Sequence, residues 1–177
     1  MVKKIGVLTS VNLNHATPAA FYAHQASRSN YYEIGQELIA SGFDYFAGGG
    51  LLTPTGKNKD LPDLYEVAQK AGYTVTTTQS EIEGVSKETG KVIAIDENLA
   101  DSDSMAYAMD LQEGQWELAD YVEKGLVYME QQCLIYNNNG HIYFSEWLNR
   151  MPLILNYVGR LNEENCFARS ISKIYRR

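Results

Sequence analysis

Cysteine and histidine are scarce in this 177-residue sequence, which contains two cysteines and three histidines. Cys133 and Cys166 do not have metal-ligand spacing, so they are either two free thiols or one pair. His15, His24 and His141 are not spaced as a metal site either. Because tight zinc binding generally needs three or four His, Cys or acidic ligands, the sequence predicts no complete zinc site.

Long apolar runs are also absent, so no transmembrane helix and no membrane partner are expected. The first residues are basic but lack a long apolar segment and a small-residue cleavage site, which predicts no signal peptide in this chain. Residues 1–136 carry only 9 Lys and Arg against 19 Asp and Glu. A body this acidic is not expected to bind nucleic acid. The sequence leaves the localisation unknown and homo-oligomers possible.

Strand-like and helix-like segments alternate along the chain. The predicted strands are Lys4–Ser10, Phe43–Ala47, Tyr73–Thr78 and Val92–Asp96, and the predicted helices are Thr17–His24, Tyr31–Ser41, Pro62–Ala71 and Gln115–Gln131. This alternation predicts an α/β domain with a largely parallel sheet flanked by helices. We expect the first two strands to be adjacent and parallel, with the helix that follows the first strand packed on one face of the sheet.

An imidazole, a hydroxyl and a guanidinium follow the first strand, at His15, Thr17 and Arg28. Ligands of open α/β sheets bind beyond the carboxyl ends of the strands. Arg28 can grip a phosphate with two parallel hydrogen bonds, Thr17 can offer an oxygen to Mg²⁺, and His15 can orient a metal-bound water. Purely structural roles are also open: Thr17 as a helix N-cap, Arg28 as a surface charge, and His15 and His24 as packing residues.

The same segment resembles the alkaline phosphatase family. Its His15-Ala16-Thr17-Pro18-Ala19-Ala20 is similar to a family signature that continues with Ala23-His24 and Arg28. The match extends through the strand and triple glycine of Ser41–Gly50 and is weaker at Met105–Asp110 and Leu118–Gly125, so it covers about residues 3–130. The resemblance implies a partial alkaline phosphatase-like core. Members of the family are usually exported, and they hydrolyse phosphomonoesters with two zinc ions and one magnesium ion.

The resemblance also implies roles for individual residues. Arg28 matches the arginine that binds substrate phosphate, and Thr17 matches the hydroxyl ligand of magnesium. His15 matches a position beside the magnesium that usually acts through water, whereas His24 matches a histidine with no assigned catalytic role. The three glycines Gly48–Gly50 are expected to form a tight turn against the sheet, because no P-loop pattern follows them.

Two parts of the family pattern have no match in these 177 residues. The serine nucleophile, which the family carries in an Asp-Ser pair on an earlier strand, has no counterpart. A later segment that supplies a magnesium carboxylate and zinc ligands is expected after Gly140, but only Glu146 lies near the carboxylate position. We therefore predict an incomplete alkaline phosphatase-like domain over residues 1–140 and a divergent region over residues 141–177.

A frameshift is one hypothesis for the divergent region. Residues 1–136 have a net charge of −10, whereas residues 137–177, with 6 Lys and Arg and 3 Asp and Glu, have +3. Glu146–Ile154 can be back-translated so that another frame reads Met-Val-Glu-Pro-Asp-Ala-Ile-Asp, which has the family spacing. Alternatively, the positive charge of residues 137–177 simply reflects a basic, solvent-exposed chain end.

The sequence thus predicts a truncated alkaline phosphatase-family protein with little or no activity alone. Its expected ligand is phosphate or a small phosphomonoester, and its expected metal complement is a partial Mg²⁺ site with most zinc ligands missing. The alternatives are a non-enzymatic phosphate-binding or interaction module, which would pair through a sheet edge, and an inert fragment.

Overall fold

The computed structural model describes residues 4–100, 104–129, 133–138 and 141–144. Within these residues the chain forms six strands and five helices. The strands are β1 (Ile5–Thr9), β2 (Tyr45–Gly48), β3 (Tyr73–Thr76), β4 (Lys91–Ile95), β5 (Cys133–Asn138) and β6 (His141–Phe144). The helices are α1 (Ala16–Ala19), α2 (Tyr31–Ser41), α3 (Leu64–Lys70), α4 (Gln79–Glu83) and α5 (Leu118–Tyr128).

The strands form one sheet in the order β3-β4-β2-β1-β5-β6. All neighbouring pairs are parallel except β5 with β6, which is antiparallel. β1 pairs with β2 in the register Val7 to Phe46, so the predicted adjacency of the first two strands is confirmed. The predicted fold class, α/β with a largely parallel sheet, is confirmed as well.

Alternate side chains of the strands enter two separate cores, because successive residues of a strand point to opposite faces. Val7, Phe46 and Ile93 pack with residues of α1, α2 and α3 on one face. Leu8 and Tyr45 belong to the opposite core, together with residues of α4 and α5. The sheet is therefore the middle layer of a helix–sheet–helix sandwich, and α1 packs on one face as predicted.

Several element boundaries agree with the sequence prediction. α2 spans Tyr31–Ser41 and ends at Gly42, whose φ of +68° is the left-handed conformation that glycine adopts readily. α3, β3 and β4 lie within the predicted segments or one residue from them. β2 begins at Tyr45 rather than Phe43, and α5 begins at Leu118 rather than Gln115.

The first helix is much shorter than predicted, because α1 ends at Ala19 instead of continuing to His24. Beyond it, the Phe21 and Tyr22 amides donate to carbonyls three residues back, at Pro18 and Ala19. The Ala23 amide donates four residues back, to Ala19, so the chain continues in mixed turns rather than as a regular α-helix. These turns bury Tyr22, whose hydroxyl donates to the Leu13 carbonyl at 2.6 Å.

Three elements were not predicted: α4, β5 and β6. α4 begins at a capping box, in which the Thr78 side chain accepts from the Glu81 amide and Glu81 bonds back to the N-cap backbone. That Thr-x-x-Glu signal is present in the sequence, but the helix is too short to show periodicity. β6 uses residues 141–144 of the region that the sequence predicts to be divergent, and pairs with β5.

The predicted division at residue 140 stays a prediction. Residues 145–177 lie outside the described part of the chain, and with them Glu146, Cys166 and most of the segment to which the frameshift hypothesis applies. Among the residues that the structure does describe, no helix is long and apolar enough to cross a membrane.

Candidate functional site

The candidate site lies at the carboxyl edge of the sheet, where β1 leads into α1. The loop after β1 is held by a hydrogen bond from the His15 amide to the Asn12 carbonyl, at 3.1 Å. It is also tied to the end of β2, because the Leu13 amide donates to the Gly50 carbonyl at 2.6 Å. Two neighbouring strands thus fix the loop that presents His15, as expected for a site in an open parallel sheet.

His15 and Arg28 are brought together although 13 residues separate them in the chain. Nη2 of Arg28 lies 3.2 Å from Nε2 of His15. A guanidinium only donates hydrogen bonds, so Nε2 of His15 must be the acceptor and the neutral ring carries its hydrogen on Nδ1. In this arrangement the Nε2 lone pair faces Arg28, and a metal ion cannot use it unless Arg28 moves.

Arg28 is exposed to solvent, on the segment that connects α1 to α2. Among the residues that the structure describes, no carboxylate lies within salt-bridge distance of its guanidinium. The positive charge at this edge of the sheet is therefore not neutralised by a described acidic side chain, which favours an anion as ligand.

Thr17 is the second residue of α1, so the alternative in which Thr17 is the N-cap of this helix is wrong. The N-cap is His15, whose extended backbone has φ −68° and ψ 154°, and α1 begins at Ala16. His15 can occupy this position without a side-chain cap because the loop before it already fixes its backbone. The Thr17 hydroxyl is consequently not used as a cap, and the side chain remains partly exposed.

His24 contacts Glu37 of α2. Its Nδ1 lies 3.5 Å from Glu37 Oε2, and its ring is 92% exposed. Glu37 also accepts hydrogen bonds from the Gln25 side chain and the His24 amide, and the bond from Gln25 is the main cause that lowers the pKa of its carboxyl. Asn30 in turn donates to Gln25 at 3.1 Å, so this cluster anchors the segment that carries Arg28.

The triple glycine packs on the sheet, as predicted, but not as a tight turn: Gly48 is the last residue of β2, and the chain bends at Gly49. The Gly49 amide already donates to the Val11 carbonyl at 2.9 Å. A Cβ at Gly48 would lie 2.8 Å from the Thr9 carbonyl oxygen, which leaves no room for a larger residue. Gly50 has φ +92°, a conformation that favours glycine.

Metal ligands are few at this edge. Across the described ranges, no group of three or more His, Cys, Asp or Glu side chains is arranged to hold a metal ion. A zinc site has no ligand set there. For magnesium, the Thr17 hydroxyl is a suitable oxygen donor, although Mg²⁺ sites usually include one or two carboxylates as well.

Three buried polar residues at the same edge of the sheet were missed by the sequence prediction. Asn12, Asn14 and Asp96 are 2%, 0% and 3% exposed. Asparagine is ordinary in the loop after a strand, so nothing in the sequence marks Asn12 or Asn14, and Asp96 is only the last residue of the predicted strand Val92–Asp96. A signal for Asp96 does exist, since it directly follows the apolar strand β4 at the edge where ligands bind.

Burial raises the pKa of the Asp96 carboxyl above its ordinary range, because ionisation would place a charge in an apolar environment. Asp96 Oδ1 accepts hydrogen bonds from the Tyr121 hydroxyl at 2.9 Å and from the Asn98 amide at 3.1 Å, which partly offset this effect. A hydrogen bond from the Glu97 backbone also lowers the pKa of Asp96, whereas the charge of the Glu97 side chain acts in the same direction as burial. Asp96 thus joins the end of β4 to Tyr121 of α5 and to Asn98 in the loop after β4.

The raised pKa predicts how stability depends on pH. Between the ordinary Asp pKa of about 4 and the raised value, the folded chain binds more protons than the unfolded chain, so the free energy of unfolding falls as pH rises. Asp96→Asn keeps an acceptor for Tyr121 and should remove this fall. Tyr121→Phe, which takes a donor from the carboxylate, should steepen it. Urea unfolding across this pH range tests both; a pH dependence unchanged in Asp96→Asn would contradict the prediction.

No family model matches the sequence. Alkaline phosphatase 4 of Bacillus subtilis (strain 168) is 31% identical over 83 residues, which cover 44% of this chain and 17% of that protein. The structure of alkaline phosphatase from the Antarctic bacterium TAB5 matches with a TM-score of 0.58 and 27% identity, over 73% of this chain and 36% of that chain.

A variant of the TAB5 enzyme, with Mg bound in its M3 site, matches with a TM-score of 0.58 and 28% identity. The match covers 73% of this chain and 35% of that variant. The chain thus spans about a third of the length of these structures and 17% of the curated relative.

The fold and the site define a class of protein: an α/β sandwich with polar side chains gathered at the carboxyl edge of a mainly parallel sheet. Within that class, the resemblance to the alkaline phosphatase family, predicted from the sequence over about residues 3–130, is confirmed for part of the chain.

Proposed function

We propose that this chain binds the phosphate group of a small phosphomonoester through Arg28, as part of an alkaline phosphatase-type site. The observation that carries the proposal is the exposed Arg28 guanidinium, held 3.2 Å from the His15 imidazole at the carboxyl edge of the sheet. Arginine presents parallel donors whose geometry matches two phosphate oxygens. A neutral His15 supports the orientation of the guanidinium without adding a competing negative charge.

Thr17 and His15 are the residues of this chain that would face a magnesium ion. In support, a TAB5 alkaline phosphatase variant binds Mg in its M3 site. The fit is partial: Thr17 offers one oxygen, His15 Nε2 is engaged by Arg28, and the described residues contain no group of three or more His, Cys, Asp or Glu that could hold the ion. We therefore propose that Mg²⁺ binds weakly, through its own water molecules, and that His15 Nε2 orients one of them when Arg28 turns from His15 to a phosphate.

Hydrolysis would need more than phosphate binding. The resemblance implies a serine nucleophile and two zinc ions for the family reaction, and the 177 residues match neither the nucleophile nor the zinc ligands. Nucleophile and metal ligands act as a unit, so loss of either removes most of the rate acceleration. The 177-residue chain by itself is consequently proposed to bind phosphate without turning over its esters.

A second candidate function is that of an interaction module. Among the described residues β3 forms one edge of the sheet, and no strand of these residues pairs with its outer side, so its backbone groups there could pair with a strand of another chain. A second copy of the chain is the simplest partner, which gives a homo-oligomer. Light scattering over a range of protein concentrations separates the two candidates, because phosphate binding at Arg28 does not require association.

Calorimetric titration of the chain with inorganic phosphate tests the proposal. We expect saturable binding with one phosphate per chain, and competition by a phosphomonoester at similar concentration. Because Arg28 is exposed, the affinity should fall as salt is raised from low ionic strength to about 0.15 M, where the screening length is about 8 Å. Absence of saturable binding at low ionic strength would contradict the proposed function.

A further inference from the structure

The side chain of Asn14 is completely buried beside the candidate site and has no solvent-exposed surface. Its Nδ2 donates to the Tyr31 carbonyl and to the Leu52 carbonyl, both at 2.9 Å. Its Oδ1 accepts from the Leu52 amide at 2.9 Å and from Asn12 Nδ2 at 2.8 Å. Both amide hydrogens and both lone pairs are therefore used, which is the full hydrogen-bonding capacity of an asparagine.

These bonds join the two segments that carry the site. Asn14 directly precedes His15, and Tyr31 is the first residue of α2, shortly after Arg28. The Asn14–Tyr31 bond thus closes the loop whose ends present the imidazole and the guanidinium. The pair of bonds to Leu52 ties the same point to the segment that follows the triple glycine, which is itself fixed on the sheet.

We propose that Asn14 is a positioning residue, which holds His15 and Arg28 at the separation that phosphate binding requires. The expected effect of Asn14 on phosphate affinity rests on the proposed function. Its effect on the His15–Arg28 contact does not depend on phosphate binding. Arg28 is exposed, and a side chain in solvent is not orientated by packing. Its direction therefore depends on the contact with His15 and on the backbone that carries both residues, and Asn14 links that backbone to the sheet.

Arginine and lysine should respond differently to loss of this link. Two-point binding of phosphate by Arg28 needs the planar fork to face the phosphate at a fixed angle. A lysine at the same position carries a point charge on a flexible stem, which follows a displaced phosphate. Loss of Asn14 should accordingly weaken phosphate binding strongly with Arg28 and only slightly with Arg28→Lys.

The first experiment measures phosphate affinity in a double-mutant cycle of Asn14→Ala with Arg28→Lys. We expect Asn14→Ala to raise the Kd for inorganic phosphate about tenfold in the Arg28 protein and about twofold in the Arg28→Lys protein. An equal effect in both backgrounds, or no effect in either, would overturn the positioning role. If Asn14→Ala does not fold, Asn14→Ser replaces it, because the shorter side chain cannot reach both Tyr31 and Leu52.

A stability control separates positioning from a general loss of structure. Tyr45→Phe removes a buried hydrogen bond to the Tyr121 carbonyl in the opposite core, away from the site. It should lower stability while leaving the phosphate Kd unchanged within about twofold. All titrations are made where urea unfolding shows that each variant is folded. A Tyr45→Phe effect on Kd as large as that of Asn14→Ala would also overturn the proposal.

The second experiment uses no phosphate and therefore distinguishes this proposal from the proposed function. In ¹⁵N NMR spectra of the free chain, the Arg28 guanidinium signals should differ from those of free arginine and move toward them in Asn14→Ala. Arg28 signals unchanged by Asn14→Ala would contradict the positioning role even if phosphate binds. A shift of these signals in a chain that binds no phosphate would contradict the proposed function alone.

Discussion

Arg28→Ala should remove the phosphate affinity of the chain. Hydrogen bonds to charged groups contribute about 1.5–3 kcal/mol each. Loss of two such bonds should raise the phosphate Kd by about 100-fold or more, at about 1.4 kcal/mol per factor of ten. Arg28→Lys keeps the charge but not the fork, and should recover only part of the affinity.

Lys70→Ala is the matched control for this loss of charge. Lys70 lies on α3, is exposed, and pairs with Glu66 at 3.8 Å, so its removal changes net charge by the same amount away from the site. We expect an unchanged phosphate Kd in Lys70→Ala. If the two alanine variants lose affinity equally, binding depends on overall charge and the assignment of Arg28 is wrong.

The 177-residue chain should show no measurable hydrolysis of a chromogenic phosphate ester at alkaline pH, with or without added Zn²⁺ and Mg²⁺. Binding the phosphate equally well in the ground and transition states does not accelerate the chemical step. Thr17 is a poor substitute nucleophile, because the structure shows no hydrogen bond from its hydroxyl to a base among the described residues, and His15 Nε2 faces Arg28. Zinc should not restore activity, because its ligand set is missing from this part of the chain.

The activity assay must exclude a contaminating phosphatase, which would be far more active than this chain. Arg28→Ala, purified in the same way, provides that control. Turnover that is equal in both preparations comes from a contaminant and leaves the prediction standing. Turnover that survives purification of the natural chain and disappears in Arg28→Ala would show that these 177 residues do contain a working catalytic site.

The parts of the fold that could be predicted are those with strong local signals. The apolar run of β1 and the glycine that ends α2 each specify their element with little help from distant residues. β5 was missed because its apolar part is short and leads into a run of asparagines, so pairing with β1 decides its conformation. The N-cap of α1 was misassigned to Thr17 because cap preferences are statistical, whereas tertiary bonds fix the loop at His15.

The candidate site was only partly accessible from the sequence. The resemblance suggests Arg28, His15 and Thr17 as candidates, but the contact between Arg28 and His15 depends on a loop closure that no local pattern shows. The role of Asn14 could not be predicted for a different reason. Asparagine is common in loops, and only the tertiary structure shows that Asn14 is buried and fully hydrogen-bonded. Burial of a polar residue is set by distant parts of the chain, so a single sequence does not reveal it.

A crystal structure of the 177-residue chain with bound inorganic phosphate tests the central claim most directly. We expect phosphate at the carboxyl edge of the sheet, with two oxygens about 2.7–2.9 Å from the guanidinium nitrogens of Arg28, the length of charge-assisted hydrogen bonds. The α1 end that carries Thr17 should border the same phosphate or its water shell. Phosphate bound elsewhere, with the Arg28 guanidinium still directed only at His15 at a concentration that saturates the chain in solution, would contradict the account.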